Sequence, residues 1–293
     1  MPSNPAQRRT TFFDLVRSSD PLILPGAYDA FSAKLVQRAG FRATYLGSFA
    51  AAASTFGLPD VGLITLTEMA DASRRMVEAT DLPVLVDGEN GFYDSANIWR
   101  TVQAFESAGV VGIHIEDNLG GKHTSRPAGL MTAETMGRRI RAALDARTDP
   151  NFMIVARTDA AWVEHDVDEA VNRLRSYAQA GADMVFAPAL TAATLKKVRS
   201  DIEAPIMVTA DLYDAPGGNR PGSTLAEYSD AGVDVLLLWY SLIGAAARGV
   251  LATLDGVAAG SEIADLAQLI HGQRDFESLM DYAAYESRAA RYQ

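Results

Sequence analysis

The chain has 293 residues, 48% hydrophobic and 22% charged, a globular balance that excludes collagen-like, low-complexity and disordered classes. Its formal net charge of −11 disfavours phosphate backbones and anionic lipid surfaces, so neither nucleic acid nor a membrane is expected as a partner. Cysteine is absent, which rules out disulfides, thiolate metal sites and a cysteine nucleophile.

In chain order, the N-terminal Met-Pro-Ser-Asn-Pro-Ala-Gln-Arg-Arg lacks the apolar stretch of a secretory signal, and no apolar run is read as approaching the roughly 18 residues of a membrane span. A cytoplasmic location is expected. Short runs, apolar on both faces, predict strands at Leu22–Pro25, 43–47, Val84–Asp87, Gly112–Glu116, Met153–Arg157, Met184–Phe186, Ile206–Thr209 and 235–239. Amphipathic stretches at 32–38, 68–79, 95–108, 133–146 and 167–180 predict helices between them. Ala39-Gly40, Ala108-Gly109, Ala180-Gly181 and Ala231-Gly232 each place a C-terminal helix cap just before a strand. This alternation predicts a (β/α)8 barrel of the TIM type; a doubly wound sheet is the runner-up, and no G-x-G-x-x-G follows a first strand to support it. A single domain is expected, with the barrel over about 1–255 and a helical extension over about 256–293. Helical pattern at 242–254 and aromatic residues in the tail suit packing on the chain's own barrel or on a neighbouring subunit.

Barrel chemistry sits at the C-terminal strand ends. Asp87 and Glu89 lie at the tip of the third strand, and a period of two puts them on one face. Glu116 and Asp117 end the fourth. Gathered carboxylates repel unless a cation relieves them, and hard oxygen ligands without cysteine point to Mg²⁺, with Mn²⁺ as the alternative. Asp94 and Asp117 also suit the caps of following helices. Arg157 ends the fifth strand, where it serves either as a structural ion pair or as a clamp on a substrate carboxylate. The glycine-rich loop after strand four has the composition of an active-site lid, with Lys122, His123, Thr124, Ser125 and Arg126 in reach of an anion. His114, deeper on strand four, reads as a hydrogen-bonded core histidine. His165 and His271 carry no assignment. Gly47-Ser48-Phe49, after strand two, offers backbone N–H groups to an anion.

Taken in order, Gly57-Leu-Pro-Asp-Val-Gly, Val86-Asp-Gly-Glu-Asn-Gly-Phe, His114-Ile-Glu-Asp and Val155-Ala-Arg-Thr-Asp-Ala resemble the isocitrate lyase/phosphoenolpyruvate mutase superfamily, most closely its 2-methylisocitrate lyase branch. The resemblance runs from Pro25-Gly-Ala-Tyr-Asp-Ala to the C-terminal Tyr-Ala-Ala-Tyr-Glu. It implies an α/β barrel whose last helix is exchanged between paired subunits in a homotetramer. It also implies a Mg²⁺ ion near Asp87, Glu89 and Glu116, and a small 2-hydroxy or 2-oxo dicarboxylate as substrate. By the same matching, Tyr45, Gly47, Ser48, Phe49, Asp60, Arg157 and Thr209 bind the substrate. Lys122, His123, Thr124 and Arg157 are the catalytic candidates. Members of this superfamily make or break a C–C or P–C bond through a metal-stabilised enolate.

Three departures bear on the activity. The lyase branch carries a cysteine in the loop, whereas this chain reads Lys122-His-Thr-Ser-Arg-Pro. A glutamate expected after strand six is replaced by Pro188, and the Asp-x-Asp of strand three is Asp87-x-Glu89. His123 is the candidate replacement acid, since an imidazole ordinarily titrates near neutrality. The expected enzyme is therefore a carbon–carbon lyase of the 2-methylisocitrate or dimethylmalate type. Oxaloacetate decarboxylation and phosphonopyruvate-type P–C hydrolysis are the alternatives, and a non-enzymatic metabolite-binding barrel is the remaining one.

Overall fold

A computed structural model describes residues 4–121, 123–210 and 223–292. In chain order its elements are α1 (Pro5–Val16), β1 (Leu22–Pro25), α2 (Ala30–Arg38), β2 (Thr44–Leu46), α3 (Ser48–Phe56), α4 (Leu66–Ala79), β3 (Val84–Asp87), α5 (Trp99–Ser107), β4 (Gly112–Glu116) and α6 (Ala133–Ala146). They continue as β5 (Met153–Arg157), a π-helical turn (Ala160–Glu164), α7 (Val167–Gln179), β6 (Met184–Phe186), α8 (Ala192–Val198), β7 (Ile206–Thr209), α9 (Leu225–Asp230) and β8 (Val235–Leu238). After these come α10 (Ser241–Ala258), α11 (Ile263–Ala267), α12 (Gln273–Leu279) and α13 (Tyr282–Ala289).

The eight strands are parallel and run β1-β8-β7-β6-β5-β4-β3-β2 around the sheet. A Gly26–Tyr45 bridge and the Thr44 hydroxyl on the Pro25 carbonyl (2.9 Å) tie β1 to β2 and close the ring. This is the (β/α)8 barrel the alternation predicts. All four predicted glycine caps take positive φ, from +80° to +101°, a conformation in which a side chain would strain the backbone.

Among the differences from expectation, two have a clear local cause. The helix expected at 95–108 begins only at Trp99, because the Asp94 carboxylate accepts from the Asn97 N–H (3.0 Å) and holds the preceding residues in a turn. Strand two stops at Leu46, and Gly47 becomes the N-terminal cap of α3.

The N-terminal helix α1 closes the bottom of the barrel. Its Phe12 and Val16 join the interior cluster with Leu24, Met153, Met184 and Val235. Arg9, 6% exposed, donates to the carbonyls of Glu106 (2.7 Å) and Val110 (3.1 Å) and pairs with Asp149 (3.1 Å). Removing one partner of a buried ion pair strands the other, at a cost of about 3–5 kcal/mol. Arg9→Met is therefore expected to lower the urea-unfolding midpoint strongly; an unchanged midpoint would show that α1 is not held this way.

The chain divides into two compact units, Met1–Ser241 and Leu242–Gln293. In the second, α10 corrects one expectation: with 18 residues and a mean hydropathy of 1.3, it is long and apolar enough to cross a membrane. Its alanines, leucines and valines carry that average despite Arg248 and Asp255 within the helix. Val250, Leu254 and Val257 recur at helical spacing and are 57–59% exposed, which gives the helix an open apolar face.

Candidate active site

Strand register assembles the site. Asp87 on β3 lies opposite His114 on β4, and Glu116 on β4 lies opposite Arg157 on β5. All four side chains are buried at the C-terminal side of the barrel. Gly88 permits the crossing: a Cβ there would come 2.7 Å from the His114 carbonyl oxygen.

The Asp87 carboxylate is held from three sides. Oδ2 accepts from the Ser48 hydroxyl (3.0 Å) and lies 3.4 Å from the Ser48 N–H. Oδ1 accepts from the Glu89 N–H (2.8 Å). Ser48 is the first residue of α3, so the carboxylate sits at a helix N-terminus, where N–H groups lack helical partners and the dipole favours an anion. Tyr45 Oη lies 2.8 Å from His114 Nε2 and 3.5 Å from Asp87 Oδ2. Burial, reinforced by the nearby Asp87 charge, pushes the Tyr45 phenol well above its usual range and keeps it neutral. His114 is the hydrogen-bonded core histidine the sequence suggests, with its ring stacked on Tyr45.

Arg157 places Nη1 3.3 Å from Glu116 and Nε 2.7 Å from Asp159. Burial alone would favour the neutral guanidine, but the charges of Asp159, Glu116 and Asp87 outweigh it and hold Arg157 protonated well above its ordinary value. The ring of Phe186 lies 5.2 Å from the guanidinium and that of Trp162 5.7 Å.

His123 reaches in from the loop between β4 and α6. Its Nε2 is 3.2 Å from Asp60 Oδ2, and its ring meets Trp162 edge-on at 4.9 Å and Phe49 at 5.6 Å. The other Asp60 oxygen lies 3.1 Å from Ser48 Oγ, whose single proton is shared between Asp60 and Asp87, so the loop histidine is linked through Asp60 and Ser48 to Asp87. Spacing gave no sign of this link, because Asp60 lies in the loop after α3.

The remaining candidates divide. Tyr45, Gly47, Ser48, Phe49 and Asp60 gather with Asp87, Glu116, Arg157 and His123. Thr209 is buried at the end of β7 with its hydroxyl on the Pro188 carbonyl. Thr124 is exposed, and its hydroxyl donates to the Gly121 carbonyl within the loop (2.8 Å). Lys122 lies outside the described residues. Glu89 leaves the strand: its φ of +50° is left-handed, so the period-two rule stops at Gly88, and its carbonyl accepts from the Glu116 N–H (2.9 Å). Asp117 faces away from the cluster, toward Arg173 and Tyr177.

Asp87, His114 and Glu116 each bring a ligand atom within 4.8 Å of the others. Two buried carboxylates and an imidazole already engaged by Tyr45 form an oxygen-rich donor set, which fits a small divalent cation. Such an ion would relieve the repulsion that Arg157 offsets only in part.

Residues 12–258 match the family model described as phosphoenolpyruvate phosphomutase. A 2-methylisocitrate lyase of Shewanella oneidensis is 32% identical over 280 residues, covering 94% of each chain. An oxaloacetate decarboxylase of a Bradyrhizobium species is 35% identical over 249 residues, covering 84% of each. Among solved structures, phosphonopyruvate hydrolase in complex with oxalate and Mg²⁺ superposes with a TM-score of 0.84 at 22% identity, over 97% of this chain and 99% of that one, a likeness of fold.

Proposed function

The chain belongs to the phosphoenolpyruvate phosphomutase family, and from that membership we propose that it is a divalent-metal-dependent carbon–carbon lyase acting on a small 2-hydroxy or 2-oxo dicarboxylate. The observation that carries this reading is the strand register, which sets the buried Asp87 and Glu116 carboxylates beside the Arg157 guanidinium.

Asp87 and Glu116 would hold Mg²⁺, the ion in the phosphonopyruvate hydrolase complex, with Mn²⁺ as the alternative. When bound, the cation supplies Lewis-acid stabilisation of negative charge on the substrate oxygen beside the breaking bond. Arg157, with Nε and Nη1 engaged by carboxylates, offers Nη2 to a substrate carboxylate, and the N–H groups opening α3 orient its other end. The rings of Phe49 and Trp162 flank the His123 imidazole and hold it over the site, with its side chain 23% exposed. Asp60 orients that imidazole through Nε2 and leaves Nδ1 to deliver a proton to the departing acid. Glu89, Lys122 and Thr209 are assigned to the site from the sequence and its family resemblance alone.

His123→Gln is expected to lower turnover on the order of 10²–10⁴-fold, the range of a general acid, with KM little changed. Turnover at the wild-type rate would remove His123 from this role.

A second reading, oxaloacetate decarboxylation, is favoured by the absence of any cysteine and by the Bradyrhizobium relative. Loss of CO₂ demands less of the loop acid than cleavage into two organic acids. Proton and phosphorus NMR of the protein with Mg²⁺ and oxaloacetate, 2-methylisocitrate, 2,3-dimethylmalate and phosphonopyruvate separates the readings, with metal-only and EDTA blanks alongside. A 2-oxo acid with a second organic acid marks the lyase. Pyruvate with CO₂ marks the decarboxylase, and inorganic phosphate marks P–C hydrolysis. Persistence of all four compounds beyond the blanks contradicts a lyase of this substrate class.

The open apolar face of α10 supports a homotetramer built from helix-swapped dimers, with α10 as the exchanged last barrel helix and the tail as its extension. A monomer by light scattering would contradict this assembly.

A further inference from the structure

Behind the substrate-facing residues lies a second buried polar group that the proposed chemistry does not use. Asp117 is fully buried. Its Oδ2 accepts from Tyr177 Oη (2.7 Å) and from Arg173 Nη1 (3.1 Å), and its Oδ1 accepts from the Asp159 N–H (3.0 Å). Burial pushes both the Asp117 carboxyl and the Tyr177 phenol upward. Arg173 Nη1 also donates to the Met131 carbonyl (2.7 Å), and Nε donates to Glu169 (2.7 Å).

These bonds meet Arg157 twice. The Asp117 N–H donates to the Arg157 carbonyl (3.1 Å), and Asp159, fixed at its backbone by Asp117, receives Arg157 Nε (2.7 Å). They also meet the root of the loop that carries His123. The Met131 N–H donates to the Asp117 carbonyl (2.7 Å), Asn118 bridges to Leu130, and Asn118 Nδ2 reaches the other oxygen of Asp159 (3.2 Å).

We propose that Arg173, acting through Asp117 and Asp159, is a positioning residue that sets the Arg157 guanidinium for a ligand carboxylate. The proposal rests on the reading that Arg157 binds that carboxylate. A guanidinium whose carboxylate partner is free to move moves with it, whereas one whose partner is fixed at both backbone and side chain is pre-organised and loses less freedom on binding. A purely structural role for Arg173 predicts something different: lower stability, with site affinities unchanged or falling together.

The test is calorimetric titration of oxalate into the full chain saturated with Mn²⁺. It compares the wild type with Arg173→Met, Arg173→Lys, Tyr177→Phe, Arg157→Met and the Arg173→Met/Arg157→Met double variant. Arg173→Met is expected to weaken oxalate on the order of tenfold while Mn²⁺ affinity without oxalate stays at the wild-type value. Tyr177→Phe loses part of that, and Arg173→Lys, which keeps a cation beside Asp117, recovers part. The double variant binds no more weakly than Arg157→Met alone, because Arg173 acts through Arg157. Wild-type oxalate affinity in Arg173→Met, parallel loss of Mn²⁺ and oxalate, or full additivity in the double variant overturns the proposal. Should Arg173→Met fail to fold, Tyr177→Phe decides it, and unchanged oxalate binding there overturns it as well. Arg157→Met binding oxalate as the wild type does would instead overturn the reading of Arg157 itself, and this proposal with it.

Discussion

Exchange of Asp87 for Asn is expected to abolish divalent-cation binding and turnover together. The variant keeps an acceptor for the Glu89 N–H and a volume close to the original, so its fold should persist. It removes the charge that the first turn of α3 and the Ser48 hydroxyl gather around. A catalytic metal supplies several kcal/mol of transition-state stabilisation. Its loss corresponds to a drop in turnover on the order of 10³–10⁴-fold. Mn²⁺ titration and steady-state rates at saturating Mg²⁺ check both effects, and wild-type Mn²⁺ affinity in the variant would contradict the assignment of Asp87.

Arg157→Met has the second large effect, on stability as well as on substrate affinity. Arg157 pairs with Glu116 and Asp159, and its removal leaves both carboxylates buried without their cation. Breaking a buried pair in this way costs about 3–5 kcal/mol. KM should rise strongly at the same time, because the carboxylate-binding nitrogen is gone. The pH dependence follows from direction. The folded-state pKa of Arg157 is raised, so its contribution is fully present below the unfolded value and is lost only as pH rises through the folded one. Between about pH 6 and 9, therefore, the stability gap between wild type and variant should carry no titration of Arg157. Urea unfolding across that range measures the gap, and a variant as stable as the wild type would show that the pair is not formed.

The parts of the fold legible in the sequence were those set by local rules. Val84–Asp87, Gly112–Glu116 and Met153–Arg157 begin and end with their apolar runs, because strands buried on both faces tolerate few polar residues. The glycine caps were visible because few other residues adopt positive φ at a helix end. The helix α1 was not legible: it is arginine-rich, and its burial depends on Arg9 reaching carbonyls 97 and 101 residues away. No helix is predicted where α3 forms, since its short alanine run has no side-chain cap and starts from Gly47.

The site divides along the same line. Asp87, Glu116 and Arg157 were legible because each ends a strand. Glu89 stands where alternation predicts a neighbour for Asp87, but the left-handed backbone after Gly88 breaks the alternation. Asp117 looked like a helix cap, and its real partners, Arg173 and Tyr177, lie 56 and 60 residues along the chain. The His123–Asp60 contact is likewise a product of the closed barrel, with no spacing rule to announce it.

The most direct test of the central claim, that Asp87 and Glu116 hold a divalent cation on which a carboxylate ligand sits, is electron paramagnetic resonance of Mn²⁺ with the full chain, recorded with unlabelled and ¹⁷O-enriched oxalate. The expected result is Mn²⁺ bound by the wild type and released in Asp87→Asn, with the labelled oxalate broadening its lines. Mn²⁺ that stays free in the presence of the wild type, or bound Mn²⁺ whose lines the label leaves unchanged, would contradict the claim.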